Sequence, residues 1–113
     1  MRLPNADLAY VPPRKLTDYL LSETHAVGKA KAKFFRKMGF KAQRIEVLRR
    51  ALLEIAQTGE VKEVIETPYG KKYIVDGVLH TPSGRQARIR TVWIVETGQE
   101  SPRFVTAYPW EGG

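Results

Sequence analysis

The chain has 113 residues, of which 42% are hydrophobic and 27% are charged, and this composition is typical of one globular domain. It contains no cysteine, so its sequence excludes disulfide bonds and thiolate zinc sites. The formal net charge of +7 and the pI near 9.9 favour polyanionic partners, either a nucleic acid or an acidic protein.

The N-terminal residues have no apolar run of the signal-peptide type, and the longest apolar runs are too short to cross a bilayer. We therefore expect a cytoplasmic protein without a membrane partner. We also expect a single domain over residues 1–113. It would consist of an N-terminal arm at 1–12, a helical part at 13–58 and an antiparallel sheet at 61–110.

Three helices are predicted in the helical part. Pro13 is suited to the first turn of a helix that extends to about residue 21. A second helix is expected over residues 26–38, with Gly39 as its C-terminal cap. The third, over residues 42–57, has the clearest periodic pattern, an apolar stripe formed by Ile45, Leu48, Leu52 and Ile55.

After Gly59 the pattern changes to the period of two that β-strands have. Turn residues divide this part into four strands, predicted at 61–67, 72–80, 86–96 and 103–108. Regular alternation would place Phe104, Thr106 and Tyr108 on one face of the last strand. The predicted fold is therefore α+β, with three N-terminal helices packed on one face of a four-stranded antiparallel meander sheet.

The basic residues are concentrated in the helical part. Residues 29–50 contain nine lysines and arginines and only one acid, Glu46. If the second helix extends back to His25, this histidine lies on one face with Lys29, Lys33 and Arg36. An imidazole beside fixed positive charges suits an anion such as a phosphodiester. The alternative is a solvated basic face on which the histidine has no role.

The sequence has no His–Glu or paired-carboxylate motif for a catalytic metal, no glycine-rich phosphate loop and no serine elbow. Metal-free RNA cleavage has simpler requirements because the ribose 2′-hydroxyl is the nucleophile. The protein must supply groups that transfer protons and cations that stabilise the phosphorane. No cofactor is therefore expected.

The candidate residues come from one helix and two strands. His25 would transfer the proton, and Lys29 and Arg90 would hold the scissile phosphate. The hydroxyl groups that would orient this phosphate belong to Thr91, Thr106 and Tyr108. Other basic residues would bind RNA more generally: Lys31, Lys33, Arg36 and Arg88. Each also has a purely structural interpretation, because threonines are common in strands and alternate arginines can form a solvated strand face.

Several stretches carry a resemblance to a known family. The chain resembles an uncharacterised bacterial family of small domains found in toxin and toxin–antitoxin settings. The stretches that carry the resemblance are 15–21, 25–35, Tyr69-Gly70, Gly84-Arg85, 91–93 and 102–109. These domains often occur beside a small acidic partner. The layout is also similar to that of the barnase–EndoU–colicin–RelE class of metal-independent ribonucleases. This resemblance implies the same helix and sheet residues as catalytic groups.

The leading prediction is a ribonuclease-like toxin domain, a candidate metal-independent endoribonuclease. Its partners would be RNA and a small acidic antitoxin or immunity protein. The alternative is a non-catalytic basic module that binds RNA or such an acidic protein. A third possibility is a structural accessory domain with a solvated basic face.

Overall fold

The computed structural model describes residues 1–22 and 29–110, without the side chains of residues 29 and 30. Four strands, β1 (Glu60–Thr67), β2 (Gly70–His80), β3 (Gln86–Glu96) and β4 (Arg103–Pro109), form one antiparallel sheet. Their order in the sheet is β1-β2-β3-β4, so each strand pairs with its neighbour in sequence. The connections are short.

The helical segments are of three types, α, π and 3₁₀. The first is one α-helical turn, α1 (Pro13–Lys15), continued by the π-helical segment Leu16–Leu20. The others are α2 (Lys29–Lys37) and α3 (Ile45–Thr58), and 3₁₀ turns occupy Ala6–Leu8 and Ala42–Arg44. None of the helices described has the length and apolarity needed to cross a membrane.

The predicted layer of three N-terminal helices on one sheet face is wrong. The helices occur at the N-terminus and in the middle of the chain, and they meet the sheet unequally. Helix α3 packs on β2 and β3, α1 lies beside β4, and α2 packs mainly against the π-helical segment. The physical reason is that the amphipathic pattern identifies a buried stripe on each helix but does not identify the element that covers it.

The hydrophobic core lies between α3 and the inner face of the sheet. The apolar stripe of α3 is buried, including Leu48, Leu52 and Ile55. Gly77 on β2 allows this approach, because a Cβ atom there would lie only 2.9 Å from the Ile55 side chain. Trp93 and Phe104, directly opposite each other on β3 and β4, pack edge to face with centroids 5.4 Å apart.

A β-bulge interrupts β4. Trp93 pairs with Phe104, but the preceding residue of β3, Val92, pairs with Thr106, so one extra residue is inserted in β4. Phe104 and Ala107 are consequently both buried in the core although they are three residues apart. The prediction that Phe104, Thr106 and Tyr108 share a face is wrong for this reason, because a periodic pattern does not reveal a bulge.

Candidate functional site

Lys31, in the first turn of α2, lies beside two hydroxyl groups from other parts of the chain. Its Nζ donates hydrogen bonds to the Tyr19 hydroxyl at 2.6 Å and to Thr106 Oγ1 at 2.9 Å. These two oxygens are 3.0 Å apart and form a third hydrogen bond. We call Tyr19, Lys31 and Thr106 the Lys31 cluster. Because both partners of the ammonium group are neutral hydroxyls, the cluster carries a fixed positive charge.

Positive charge acts on Tyr19 from two directions. Nζ of Lys31 and Nζ of Lys15 lie 5.0 Å and 5.3 Å from the centre of its ring. Burial by itself raises the pKa of Tyr19, but the hydrogen bonds with Lys31 and Thr106 and the two lysine charges together lower it below 10.0. The Tyr19 hydroxyl is therefore a stronger acid than an ordinary tyrosine.

A surface cavity of about 620 Å³ opens beside the cluster, and Tyr19 and Thr106 line it. Its cationic side chains are Arg14, Lys15 and Arg103. Two of them have carboxylate partners. Nε of Arg14 lies 3.4 Å from Oδ2 of Asp18, and Nε of Arg103 donates to Oε1 of Glu96 at 2.9 Å. Lys15 has no ion pair within the described part of the chain. Lys15 thus borders a cavity lined by the two hydroxyls that hold Lys31, and this combination of cations and hydroxyl groups suits a phosphate.

A second charged group lies on the outer face of the sheet. Asp76, Arg90 and Tyr108 stand directly opposite one another on β2, β3 and β4. The Arg90 guanidinium donates from Nε and Nη2 to both carboxylate oxygens of Asp76, at 2.7 Å and 2.8 Å. These hydrogen bonds raise the pKa of Arg90, against a smaller opposing effect of burial. The charge of Arg90 is thus balanced by Asp76, and its bidentate geometry is used within the protein.

Tyr108 lies between these two groups. Its ring centre is 5.7 Å from Nζ of Lys31, and it interacts electrostatically with Arg90. The structure therefore brings three predicted site residues near one another: Lys31, Thr106 and Tyr108. Arg90 is opposite Tyr108 on the neighbouring strand. Lys31 was predicted only as a general RNA-binding residue, whereas it lies at the centre of the cluster.

Thr91 is in a different environment from the other predicted residues. Its side chain is fully buried. Its hydroxyl donates to the Val75 carbonyl at 2.8 Å and accepts from Nε1 of Trp93 at 2.8 Å. Both hydrogen bonds lie within the core, so Thr91 has no surface on which to contact a substrate. Its observed role is to satisfy the indole N–H of a buried tryptophan.

The other predicted residues are placed only in part. His25 and the side chain of Lys29 lie outside the described residues. Lys33 is exposed on α2, and Arg36 donates from Nη1 to the Leu21 carbonyl at 3.4 Å. Arg88 is exposed on β3 and borders two cavities beside Trp110.

Sequence reasoning missed Tyr19, Lys15, Asp76 and Trp110. Tyr19 lies at helical spacing from the apolar residues of the first helix, and the π-helical geometry of that segment has no simple sequence signal. The position of Asp76 opposite Arg90 follows from the hairpin register once the turn at residues 81–84 is fixed. That pair was therefore recoverable from the sequence. Across residues 1–22 and 29–110, no group of three His, Asp or Glu side chains is arranged to hold a metal ion.

The fold has a known counterpart. The chain matches one chain of a contact-dependent growth inhibition toxin–immunity protein complex from Klebsiella pneumoniae 342 with a TM-score of 0.73. The two are 20% identical, and the match covers 95% of this chain and 97% of that chain. The molecule is thus an α+β domain with the fold of one component of that complex.

A family can also be assigned. Residues 2–111 match the profile described as a domain of unknown function, DUF6883, and the chain belongs to this family. A search of curated proteins gives no significant match.

Proposed function

We propose that the chain is the toxin component of a toxin–immunity pair and that it acts on RNA at the Lys31 cluster. The observation that carries the proposal is the triangle of hydrogen bonds in which a lysine ammonium is held by two neutral hydroxyls beside a cationic cavity. The net charge of +7 supports the toxin side of such a pair, since a polyanionic substrate is attracted to a basic protein. The shared fold with one component of a toxin–immunity complex supports the setting.

The proposed reaction is metal-independent transesterification. The ribose 2′-oxygen forms a bond to phosphorus, the bond from phosphorus to the 5′-oxygen breaks, and the products are a 2′,3′-cyclic phosphate and a 5′-hydroxyl end. His25 would accept the proton of the 2′-hydroxyl. Tyr19 would donate a proton to the leaving 5′-oxygen, because its pKa is lowered and the resulting phenolate is stabilised by Lys31 and Thr106.

Lys31 and Lys15 would also stabilise the charge that develops on the non-bridging phosphate oxygens. Lys29, whose predicted role is to hold the same phosphate, follows His25 by four residues in the sequence. Tyr108, with its ring near Nζ of Lys31, would orient the phosphate. Arg90 has a lesser part in this scheme than the sequence suggested, since Asp76 occupies its hydrogen-bonding fork.

The test is cleavage of total RNA by the purified chain in the presence of EDTA. We expect the wild type to produce 2′,3′-cyclic phosphate ends. Tyr19→Phe and His25→Ala should each reduce the rate by about 100-fold or more, the usual contribution of proton transfer. Lys31→Met should also reduce it strongly, because the charge and the geometry of the cluster are lost.

Two matched controls keep this test specific. Tyr69→Phe removes a hydroxyl from a tyrosine that is 76% exposed, and Lys71→Met removes an exposed lysine that pairs with Glu66. Both should cleave like the wild type. Absence of cleavage by the wild type, or equal cleavage by wild type and Tyr19→Phe, would contradict the proposed reaction. Circular dichroism of each variant shows whether it is folded.

The second candidate is a non-catalytic module that binds RNA or an acidic protein at the same basic surface. The excess of lysine and arginine, 19 residues against 12 aspartates and glutamates, favours it as much as it favours an enzyme. It predicts binding that weakens steeply with salt and no phosphodiester product. Expression in bacteria distinguishes the two, because a toxic enzyme arrests growth and Lys31→Met relieves the arrest, whereas a binding module leaves growth unchanged.

A further inference from the structure

Trp110 follows β4 and lies on the outer side of the sheet, away from the core. Its backbone N–H donates to the Arg88 carbonyl at 3.0 Å, which fixes the chain at this point. The central guanidinium carbon of Arg90 lies 3.7 Å from the centre of the Trp110 ring, within the range of a cation–π contact. Asp76 in turn holds Arg90 through two hydrogen bonds. The Trp110 indole thus contacts a guanidinium that Asp76 holds in place, and the indole remains partly exposed.

Two cavities adjoin this indole. One, of about 360 Å³, lies over the outer face of the sheet, and its polar lining includes Glu60, Lys62 and Arg88. The other, of about 460 Å³, includes Phe34 of α2. Trp110 and Arg88 line both cavities. Volumes of this size are typical of sites that hold a small planar ligand.

Arg88 differs from Arg90 in its partners. Its side chain is exposed, and within residues 1–22 and 29–110 it has no hydrogen bond or ion pair. A partly exposed indole beside a guanidinium that no described residue pairs provides a stacking surface and a positive charge in one place. This combination is characteristic of proteins that bind single-stranded nucleic acid, because the ring stacks on a base and the cation contacts the backbone.

We infer that Trp110, Arg88 and the two adjoining cavities form a binding site for an unpaired base of single-stranded RNA. The inference rests on the proposed function, because RNA is the proposed substrate. It adds a second contact to the scissile-phosphate site. The backbone from Thr106 to Trp110 is extended and spans about 13 Å at 3.3 Å per residue. A strand bound at the Lys31 cluster therefore reaches Trp110 along β4, past Tyr108.

The chemistry favours a base over a peptide in this position. The carboxylate of Glu60 and the ammonium of Lys62, which lie 3.4 Å apart, provide an acceptor and a donor at the edge of the outer-face cavity. Base edges carry both amino donors and carbonyl or ring-nitrogen acceptors. An acidic protein would be attracted by Arg88 but would be repelled by Glu60.

The experiment measures binding separately from cleavage. The tryptophan fluorescence of the wild type is titrated with a short single-stranded RNA whose 2′-oxygens are methylated, so that it cannot be cleaved through the 2′-hydroxyl. Trp93 is fully buried, so a change in fluorescence on binding reports on Trp110. Inorganic polyphosphate and a duplex of the same sequence serve as polyanions without accessible bases.

We expect the single strand to change the fluorescence and polyphosphate to leave it unchanged. Because Trp110→Leu lacks the reporting indole, the affinities of the variants and of the wild type are compared by isothermal titration calorimetry. Trp110→Leu should weaken binding of the single strand by about tenfold, the effect of losing one base–aromatic stack, and should not change binding of polyphosphate. Trp110→Phe, which retains an aromatic ring, should bind the single strand within a fewfold of the wild type. Tyr69→Leu is the control, since it removes an exposed aromatic ring in the turn between β1 and β2, whereas Trp110 follows β4.

Equal affinity of wild type and Trp110→Leu for the single strand would overturn the inference, and so would an equal loss of affinity for polyphosphate. Binding of an acidic protein that depends on Trp110, without binding of single-stranded RNA, would also overturn it. The two proposals fail separately. If the chain cleaves RNA but Trp110→Leu binds normally, the proposed function stands and the base site does not. If Trp110 is needed for binding but no RNA is cleaved, the base site stands alone.

Discussion

Lys31 and Arg90 are two partly buried cations near the same strand, and they differ in what holds them. Two neutral hydroxyls hold Lys31, whereas a carboxylate holds Arg90 with both of its oxygens. The first arrangement leaves a positive charge available to a ligand, and the second balances the charge within the protein. Basic side chains on neighbouring elements therefore differ in whether their charge is balanced by a carboxylate of the protein.

The largest effect on stability should come from the carboxylate that holds Arg90. Asp76→Asn should lower the free energy of unfolding by about 2 kcal/mol, because it weakens two charge-assisted hydrogen bonds and leaves a partly buried guanidinium without its counter-charge. Urea denaturation measures this change. Glu66→Gln, in an exposed ion pair with Lys71, is the control and should change stability by less than about 0.5 kcal/mol. If the two substitutions lowered the free energy of unfolding equally, burial of the Asp76–Arg90 pair would contribute nothing to stability.

Substitution of Lys31 should have a small effect on stability and a larger effect on binding. Lys31→Met should change the free energy of unfolding by less than about 1 kcal/mol, because Tyr19 and Thr106 remain hydrogen-bonded to each other. It should weaken binding of pyrophosphate by about tenfold, which corresponds to about 1.4 kcal/mol. Isothermal titration calorimetry measures the affinity, with Lys71→Met as the control. A strongly destabilised Lys31→Met protein would make the cluster a structural support like the one at Arg90.

The smallest effect concerns the pH dependence of stability through Tyr19. Its pKa is lower in the folded chain than in the unfolded chain, so the folded state binds fewer protons between the two values. The free energy of unfolding of the wild type relative to Tyr19→Phe should therefore rise as the pH increases through this interval toward 10.0, by less than about 1 kcal/mol given partial exposure. Urea unfolding at several alkaline pH values measures it. A difference that falls or stays constant would contradict the lowered pKa.

The sheet was predictable from the sequence because its signals are local. Alternating apolar residues and the turn residues at 68–70 and 81–84 define strands whose ends differ from the observed ones by one or two residues. The arrangement of the helices was not predictable in this way. Which element covers an apolar stripe depends on contacts between distant parts of the chain, and Tyr19 in particular reaches Thr106 across 87 residues.

The candidate site was predictable only in part for the same reason. Residue types identified Thr106, Tyr108 and the lysines of α2, since these groups suit phosphate chemistry. They did not reveal that Thr91 is enclosed by Trp93 and Val75 or that Arg90 is occupied by Asp76. The sequence shows which charges, donors and acceptors a side chain has. The tertiary structure decides whether another residue of the protein already pairs with them.

The bulge in β4 decides which face the residues at the end of this strand occupy. Residues before and after the extra residue follow opposite alternation, with Phe104 and Ala107 both in the core. Without the bulge, simple alternation of the unchanged chain would turn Thr106 and Tyr108 inward and Ala107 outward. Deletion of Val105 would remove the extra residue itself, so Thr106, Ala107 and Tyr108 would keep their faces. Among related chains, the residues equivalent to Phe104 and Ala107 should accordingly be either three apart with a bulge or two apart without one.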